Sequence, residues 1–257
     1  MINLLSSDIY KLYKRKSPYV FLIILLGLAI LETGIIYLAI HFATETYDYD
    51  YTVSAQLPAL VFSSLSNLFI AIFSALYISS EFSYGTMKNI TSRGYSRMAV
   101  YLSKYICVVL FSFVLLVANV FFNIVTLGIF FGFGTFSSTM LQDILLLSSL
   151  SLLINCAVCA VYTFFSFLLA NVGSALAINL VINTLMGMIL SLIDFGLYIV
   201  KSEVSVSRYW INNLSGYLSV YSPADKDVRI TLIAAPIYIV FFLFCGIVIF
   251  GKRDIKA

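Results

Sequence analysis

Between Asp143 and Asp194 the chain runs for fifty residues without a charged side chain. In water such a stretch would have to vanish whole into a core. In a bilayer it is two helical spans of about 20 residues, each pairing its own backbone groups, with a break between them. Ala170, Asn171, Val172, Gly173 and Ser174 supply that break, a short run of small and turn-forming residues.

The same ruler divides the rest of the chain. Residues 17 to 44 carry only Glu32 and His41 among acidic and basic side chains, and residues 51 to 80 carry none. After Lys104 the next charge is Asp143, room for a helix ending near Leu127 and a turn-forming segment from Gly128 to Thr139. The last apolar run, Ile230 to Gly251, includes Pro236, which a membrane helix tolerates. The expected spans are 18–40, 55–79, 101–127, 144–169, 174–194 and 230–250. The fold class that follows is an all-α membrane protein of six transmembrane helices, one transmembrane domain over residues 1–257.

Composition agrees: 61% of residues are hydrophobic and 11% charged, with a mean hydropathy of +1.02. A net charge of +3, held in clusters at the edges of apolar runs, reads as topology and argues against a nucleic-acid partner. Lys11, Lys14, Arg15, Lys16, Lys88, Arg93, Arg97, Lys104, Lys252, Arg253 and Lys256 fall on one side of the six-span arrangement. The other side has Lys201, Arg208, Lys226 and Arg229 beside Glu45, Asp48, Asp50, Asp143, Asp194, Glu203, Asp225 and Asp227. Positive residues stay inside, so both termini are expected in the cytoplasm of a multi-pass plasma-membrane protein.

Residues 1 to 16 place Leu5, Ile9, Leu12 and Tyr13 at helical spacing among basic residues, which suits an amphipathic interfacial helix and equally a plain positively charged anchor for the first span. The apolar run beyond it is too long for a signal-peptide core, so it is read as a retained first span. Tyr37, Tyr47, Tyr49, Tyr51, Tyr198, Tyr209, Trp210, Tyr217 and Tyr221 fit an aromatic belt at the membrane edges. The segment Arg208 to Tyr221 is amphipathic enough to dip back into the outer leaflet. Gly128 and Gly132 form a GxxxG at a helix end, a weak dimer signal there.

Chemistry is sparse. Cys107, Cys156, Cys159 and Cys245 all lie in apolar segments, and the CxxC of Cys156 and Cys159 has neither a histidine nor a second pair beside it. No GxxxxGK[ST], HExxH or acidic metal cluster occurs, so the chain is not expected to hydrolyse ATP, and no cofactor of its own is expected. Glu32 stands inside the first span, where a carboxylate is expensive; it is expected to be neutral, or paired with a polar neighbour such as Asn67. Asn179 and Asn183, one turn apart on the fifth span, are the candidates for lining a pathway, although buried amides serve packing more often.

The loop after the second span is the most informative segment. It reads Glu81, Phe82, Ser83, Tyr84, Gly85, Thr86, Met87, Lys88, and continues through Arg93 and Gly94 to Arg97, with Lys104 downstream. Thr86 is expected to cap a short polar helix from Met87 to Arg93, Gly94 to stop it, and Glu81 to pair with Arg97 or Lys104. The order of an acidic-aromatic pair, Gly-Thr, short helix, Ser-Arg and Lys resembles the loop of ABC-2 type permeases.

That resemblance implies a coupling role for Glu81, Phe82, Gly85, Thr86, Arg93, Arg97 and Lys104, which would make the short helix a cytoplasmic coupling helix. It also implies a cytosolic ABC ATPase partner carrying ATP and Mg, and a second permease copy or homologous permease around a shared pathway. The expected activity is export of hydrophobic or amphipathic substrates such as membrane-active peptides. An ATP-independent secondary carrier or channel is the rival reading, and would call for paired repeats or a ladder of buried charges. An intramembrane enzyme is a third, lacking a nucleophile with its base.

Overall fold

The structure is a computed structural model that describes residues 2–42, 51–62, 64–199 and 205–253. Glu45, Asp48, Asp50, Tyr47, Tyr49, Lys201, Glu203 and Lys256, used above for orientation and belt, lie outside the described residues. Regular structure among the described residues is helical, with no strand. Six helices are long and apolar enough to cross a membrane.

Helix α1 is Ile2–Lys14, and α2, Ser17–Phe42, is the first span. The second span is composite: α3 Val53–Val61 leads through α4 Ser64–Ser74 into a five-residue π turn, Ala75–Ser79, and ends in α5 Ser80–Ser83. The short helix α6, Thr86–Ser92, precedes the long α7, Arg97–Phe131. Then come α8 Ser138–Leu169 and α9 Val172–Ile199, parted by Ala170 in the left-handed region at φ +53° where the break was expected. A 3-10 turn at Ser207–Tyr209, α10 Ile211–Leu218 and α11 Asp225–Lys252 complete the chain.

Helix α8 is central and packs against α3, α4, α7, α9, α10 and α11. Through a full turn of it Ala157, Val158, Cys159, Ala160 and Val161 are all buried, small or β-branched residues that let neighbours approach closely on every side. By contrast α9 and α11 keep most of their apolar surface outward, with Leu192, Ile193, Val240 and Phe244 exposed. Such faces suit lipid.

Helix α7 does not stop near Leu127. It continues for a further turn to Phe131, and Gly132 at φ +84° ends it. Gly128 is no breaker; the Phe133 ring folds back over it, so that a Cβ there would lie 2.6 Å from Phe133 Cζ. The same contact covers the Gly128 half of the GxxxG, while Gly132 stays open. Just beyond, the carbonyls of Gly132 and Phe133 accept from the Val53 and Ser54 amides at 3.1 Å each, satisfying donors that the start of α3 would otherwise leave bare.

The segment after α9 turns back among the helices. Asp194 accepts from the Val206 amide at 2.6 Å, the Ser207 amide at 3.1 Å and the Ser205 hydroxyl at 2.8 Å. Arg208 donates to Asp227 Oδ1 from Nε at 2.8 Å and stacks 5.2 Å over the Tyr217 ring. Helix α10 buries Ile211, Leu214, Ser215 and Leu218. Its Asn212 amide donates to the Tyr162 hydroxyl at 3.4 Å, and Tyr162 stands near the opposite end of α8 from Ser138, roughly 36 Å along it at 1.5 Å per residue. The chain then returns to the far end, where the Tyr221 hydroxyl donates to the Ser54 carbonyl and Ser222 donates to Asp143 at 3.1 Å. Burial and the nearby Asp143 carboxylate raise the Tyr221 phenol above its ordinary range, keeping it a donor.

Candidate coupling site

One end of the bundle gathers α1, the loop of α5 and α6, the start of α7 and the last turn of α11. At its centre Lys104 is fully buried, its Nζ donating to Asp8 Oδ1 at 2.8 Å and to Glu81 Oε1 at 2.7 Å. The Ser103 hydroxyl donates to the other Asp8 oxygen at 2.7 Å. Below them the Tyr77 ring lies 4.9 Å from Lys104 Nζ and 5.1 Å from the Arg15 guanidinium, so both cations face its π cloud. The π turn places Tyr77 there: its wider winding shifts the register of the span immediately before Glu81.

Of the two partners expected for Glu81, the structure selects Lys104. Arg97 instead reaches the carbonyls of Phe250, at 3.3 Å, of Gly251, at 3.1 Å, and of Arg253. These are orphan acceptors at the end of α11, where a cation is favoured. Arg253 does the same for α8, donating to the carbonyls of Phe167 at 2.6 Å and Leu168 at 2.9 Å. Its guanidinium sits 5.6 Å from the Phe82 ring, and Phe82 meets Phe167 and Phe250 edge-on at 5.7 and 6.2 Å. The loop is thereby fastened at Glu81 to α1 and α7, and at Phe82 and Arg97 to α8 and α11.

Between those anchors the backbone turns sharply. Gly85 has φ +67° and is itself the N-cap of α6, so Thr86 is the first helical residue and not the expected cap. Its hydroxyl donates to the Glu81 carbonyl at 3.1 Å, closing the preceding helix. Gly94 at φ +83° stops α6, as its position predicted. Helix α6 buries Met87 and Ile90 and presents Lys88, Asn89, Ser92 and Arg93 outward, next to an exposed Tyr84.

Helix α1 is turned differently from its expected apolar face. Leu4 and Asp8 are buried and Leu5 and Leu12 half-buried, whereas Ile9 and Tyr13 point away from the protein. A buried carboxylate draws the helix toward Lys104. Asp8 and Arg253 therefore belong to this site and were missed as site residues. The signal for Asp8 was its being the one acidic residue in a basic segment, a helical turn after Leu4.

The intramembrane residues fall elsewhere. Asn179 is buried, its amide donating to the Ala71 carbonyl at 3.2 Å and to the Ser74 and Ser166 hydroxyl oxygens at 3.1 Å each. Asn183 accepts from the Tyr162 hydroxyl at 2.8 Å. Both amides pin α9 to its neighbours, and neither lines a cavity of about 770 Å³ that opens in the far half of the bundle. Glu32 does line it, with Thr33, Asn123, Asn212 and Ser215. Asn67 lies at a separate small hollow beside Asn155, so the expected Glu32–Asn67 pair is not made. Asn67 belongs to α4, beyond the cavity's edge. The four cysteines are unpaired, and no His, Cys, Asp or Glu group among the described residues could hold a metal ion.

Six apolar helices, a re-entrant segment and a polar loop clamped to four of the helices are the build of a membrane transport subunit. Residues 4–200 match the ABC-2 family transporter proteins, and the chain belongs to that family, whose permeases are membrane transport subunits and not ATPases. The match takes in α1 to α9 and so the whole of the Asp8, Glu81 and Lys104 cluster. Over 218 residues the chain is 30% identical to the uncharacterized protein YhcI of Bacillus subtilis (strain 168), covering 76% of this chain and 66% of that protein. It thus spans just under two thirds of that relative's length.

Proposed function

We propose that this chain is the permease subunit of an ATP-driven exporter, with the clamped end facing the cytoplasm and α6 receiving a separate ABC ATPase. The observation that carries the reading is the construction of α6. Two apolar side chains anchor it, its outer face is polar, and its flanks are bonded to α1, α7, α8 and α11. A push on α6 cannot be absorbed locally and must tilt the spans, which is what alternating access requires. The basic residues at this end support its cytoplasmic assignment.

ATP and Mg would bind the partner, the permease supplying motion and pathway. A second copy, or a homologous permease, would complete the pathway against the outward faces of α2, α9 and α11. The mostly apolar lining of the spans favours a hydrophobic or amphipathic cargo such as a membrane-active peptide, moved outward. Reversing Lys88 and Arg93 together, K88E/R93E, leaves every buried contact intact and should abolish co-purification with the ATPase while the permease remains monodisperse. Retained association and transport, or transport by the permease alone, would favour the carrier or channel reading instead.

A further inference from the structure

We propose that the cavity in the far half of the bundle binds the protonated amine of an amphipathic ligand, with the Glu32 carboxylate as its counterion. At about 770 Å³ it is the size of a small-molecule site and far larger than a bare ion needs. Among the described residues that line it Glu32 is the single charged one, with no lysine or arginine beside it. Among the described residues Glu32 makes no hydrogen bond or ion pair, though a carboxylate at this depth needs a compensating charge.

The neutral groups around it point the same way when donors and acceptors are assigned. The Thr33 hydroxyl is directed to the Ala29 carbonyl at 2.8 Å and to Thr126 at 3.1 Å. The Asn123 amide donates to the Asn119 carbonyl at 2.9 Å, Ser215 to the Asn212 carbonyl at 2.6 Å, and Ser219 to the Gly216 carbonyl at 2.8 Å. Asn213 donates to the Ser207 carbonyl at 3.1 Å and Ser191 to the Gly187 carbonyl at 2.9 Å. These side-chain donors are turned to the protein, and the Glu32 carboxylate keeps both oxygens for the cavity. Such a surface repels anions and suits a group with several N–H donors and a positive charge. Apolar Ile36, Leu60 and Leu127 complete the wall and accommodate an attached hydrocarbon.

The primary ammonium could come from a soluble amphipathic amine or from a phosphatidylethanolamine headgroup. The proposal deepens the cargo reading above, and rests on it only in taking the ligand as cargo. The test uses the permease alone, in phosphatidylcholine nanodiscs, titrated with radiolabelled dodecylammonium and competed with dodecanol. The ammonium should bind saturably and resist dodecanol, and Glu32→Gln should weaken it by at least roughly tenfold, the worth of one charge-assisted contact. Glu32→Asp should retain most of the affinity. Ser219→Lys, which places a competing ammonium in the cavity without touching Glu32, should abolish probe binding. Displacement when phosphatidylethanolamine is added to the nanodiscs identifies a lipid as the occupant, and its failure to displace identifies the soluble amine; both uphold the site. Equal binding of dodecanol, or parent-like binding by either Glu32→Gln or Ser219→Lys, overturns it. Loss of binding would leave the ATP-driven reading standing, whereas binding that persists when no ATPase ever associates would sink that reading and keep the site.

Discussion

An ammonium group removed from water loses several kcal/mol of hydration, and Lys104 offsets that loss with two carboxylates and the Tyr77 ring. Two negative charges share one buried positive one, so the cluster depends on all three side chains. Lys104→Met should leave Asp8 and Glu81 facing each other and destabilise the permease by about 3–5 kcal/mol, read as a lowered unfolding midpoint in detergent. Adding Asp8→Asn and Glu81→Gln should restore most of that stability, because a neutral cluster has no stranded charge. If the triple variant is no more stable than Lys104→Met, the cluster is not electrostatic in origin. Glu81 and Lys104 were legible because they flank one loop, whose pattern puts both at the membrane edge. Asp8 was not, since its partner is 96 residues away and nothing local distinguishes a buried aspartate from a solvated one. Glu32 shows the opposite failure: the cost of a carboxylate inside a span was legible, but the cavity it faces is built by helices distant in sequence.

Helices of this chain are written in its charge gaps, and their ends are written less clearly. All six spans were found by counting uncharged residues, since a bilayer leaves helices of that length no alternative. The π turn had no sequence signature. The true end of α7 was hidden because Gly128 serves ring packing and not termination. Gly85, in contrast, acts as read. Its φ of +67° is costly for any residue with a Cβ, while no atom lies within 4 Å to obstruct one. Gly85→Ala should therefore cost about 1–2 kcal/mol through the backbone alone and misalign α6. Gly27→Ala, in the ordinary helical stretch of α2 with equal space around it, should be neutral or slightly stabilising. Thermal unfolding of the two variants side by side checks the contrast; equal behaviour would mean that the left-handed turn is not required.

At the scale of the whole molecule, the fastened end and the cavity are separate sites, and the long helix α7 joins them, carrying Lys104 at one and Asn123 and Leu127 at the other. A force on α6 enters through the Lys104 cluster and the helix ends held by Arg97 and Arg253. On the proposed coupling role it would leave as a change of tilt and alter the spacing around the cavity. The most direct measurement of this claim is the distance between spin labels at Phe42 and Ala224, both at the far end, in a background lacking Cys107, Cys156, Cys159 and Cys245. The permease would be reconstituted with its ATPase and examined with and without ATP and vanadate. The account predicts that the distance distribution of the parent shifts on trapping, and that Glu81→Gln traps the same nucleotide while its far end stays in place. A Glu81→Gln protein that shifts as far as the parent, or a parent that does not shift at all, would contradict it.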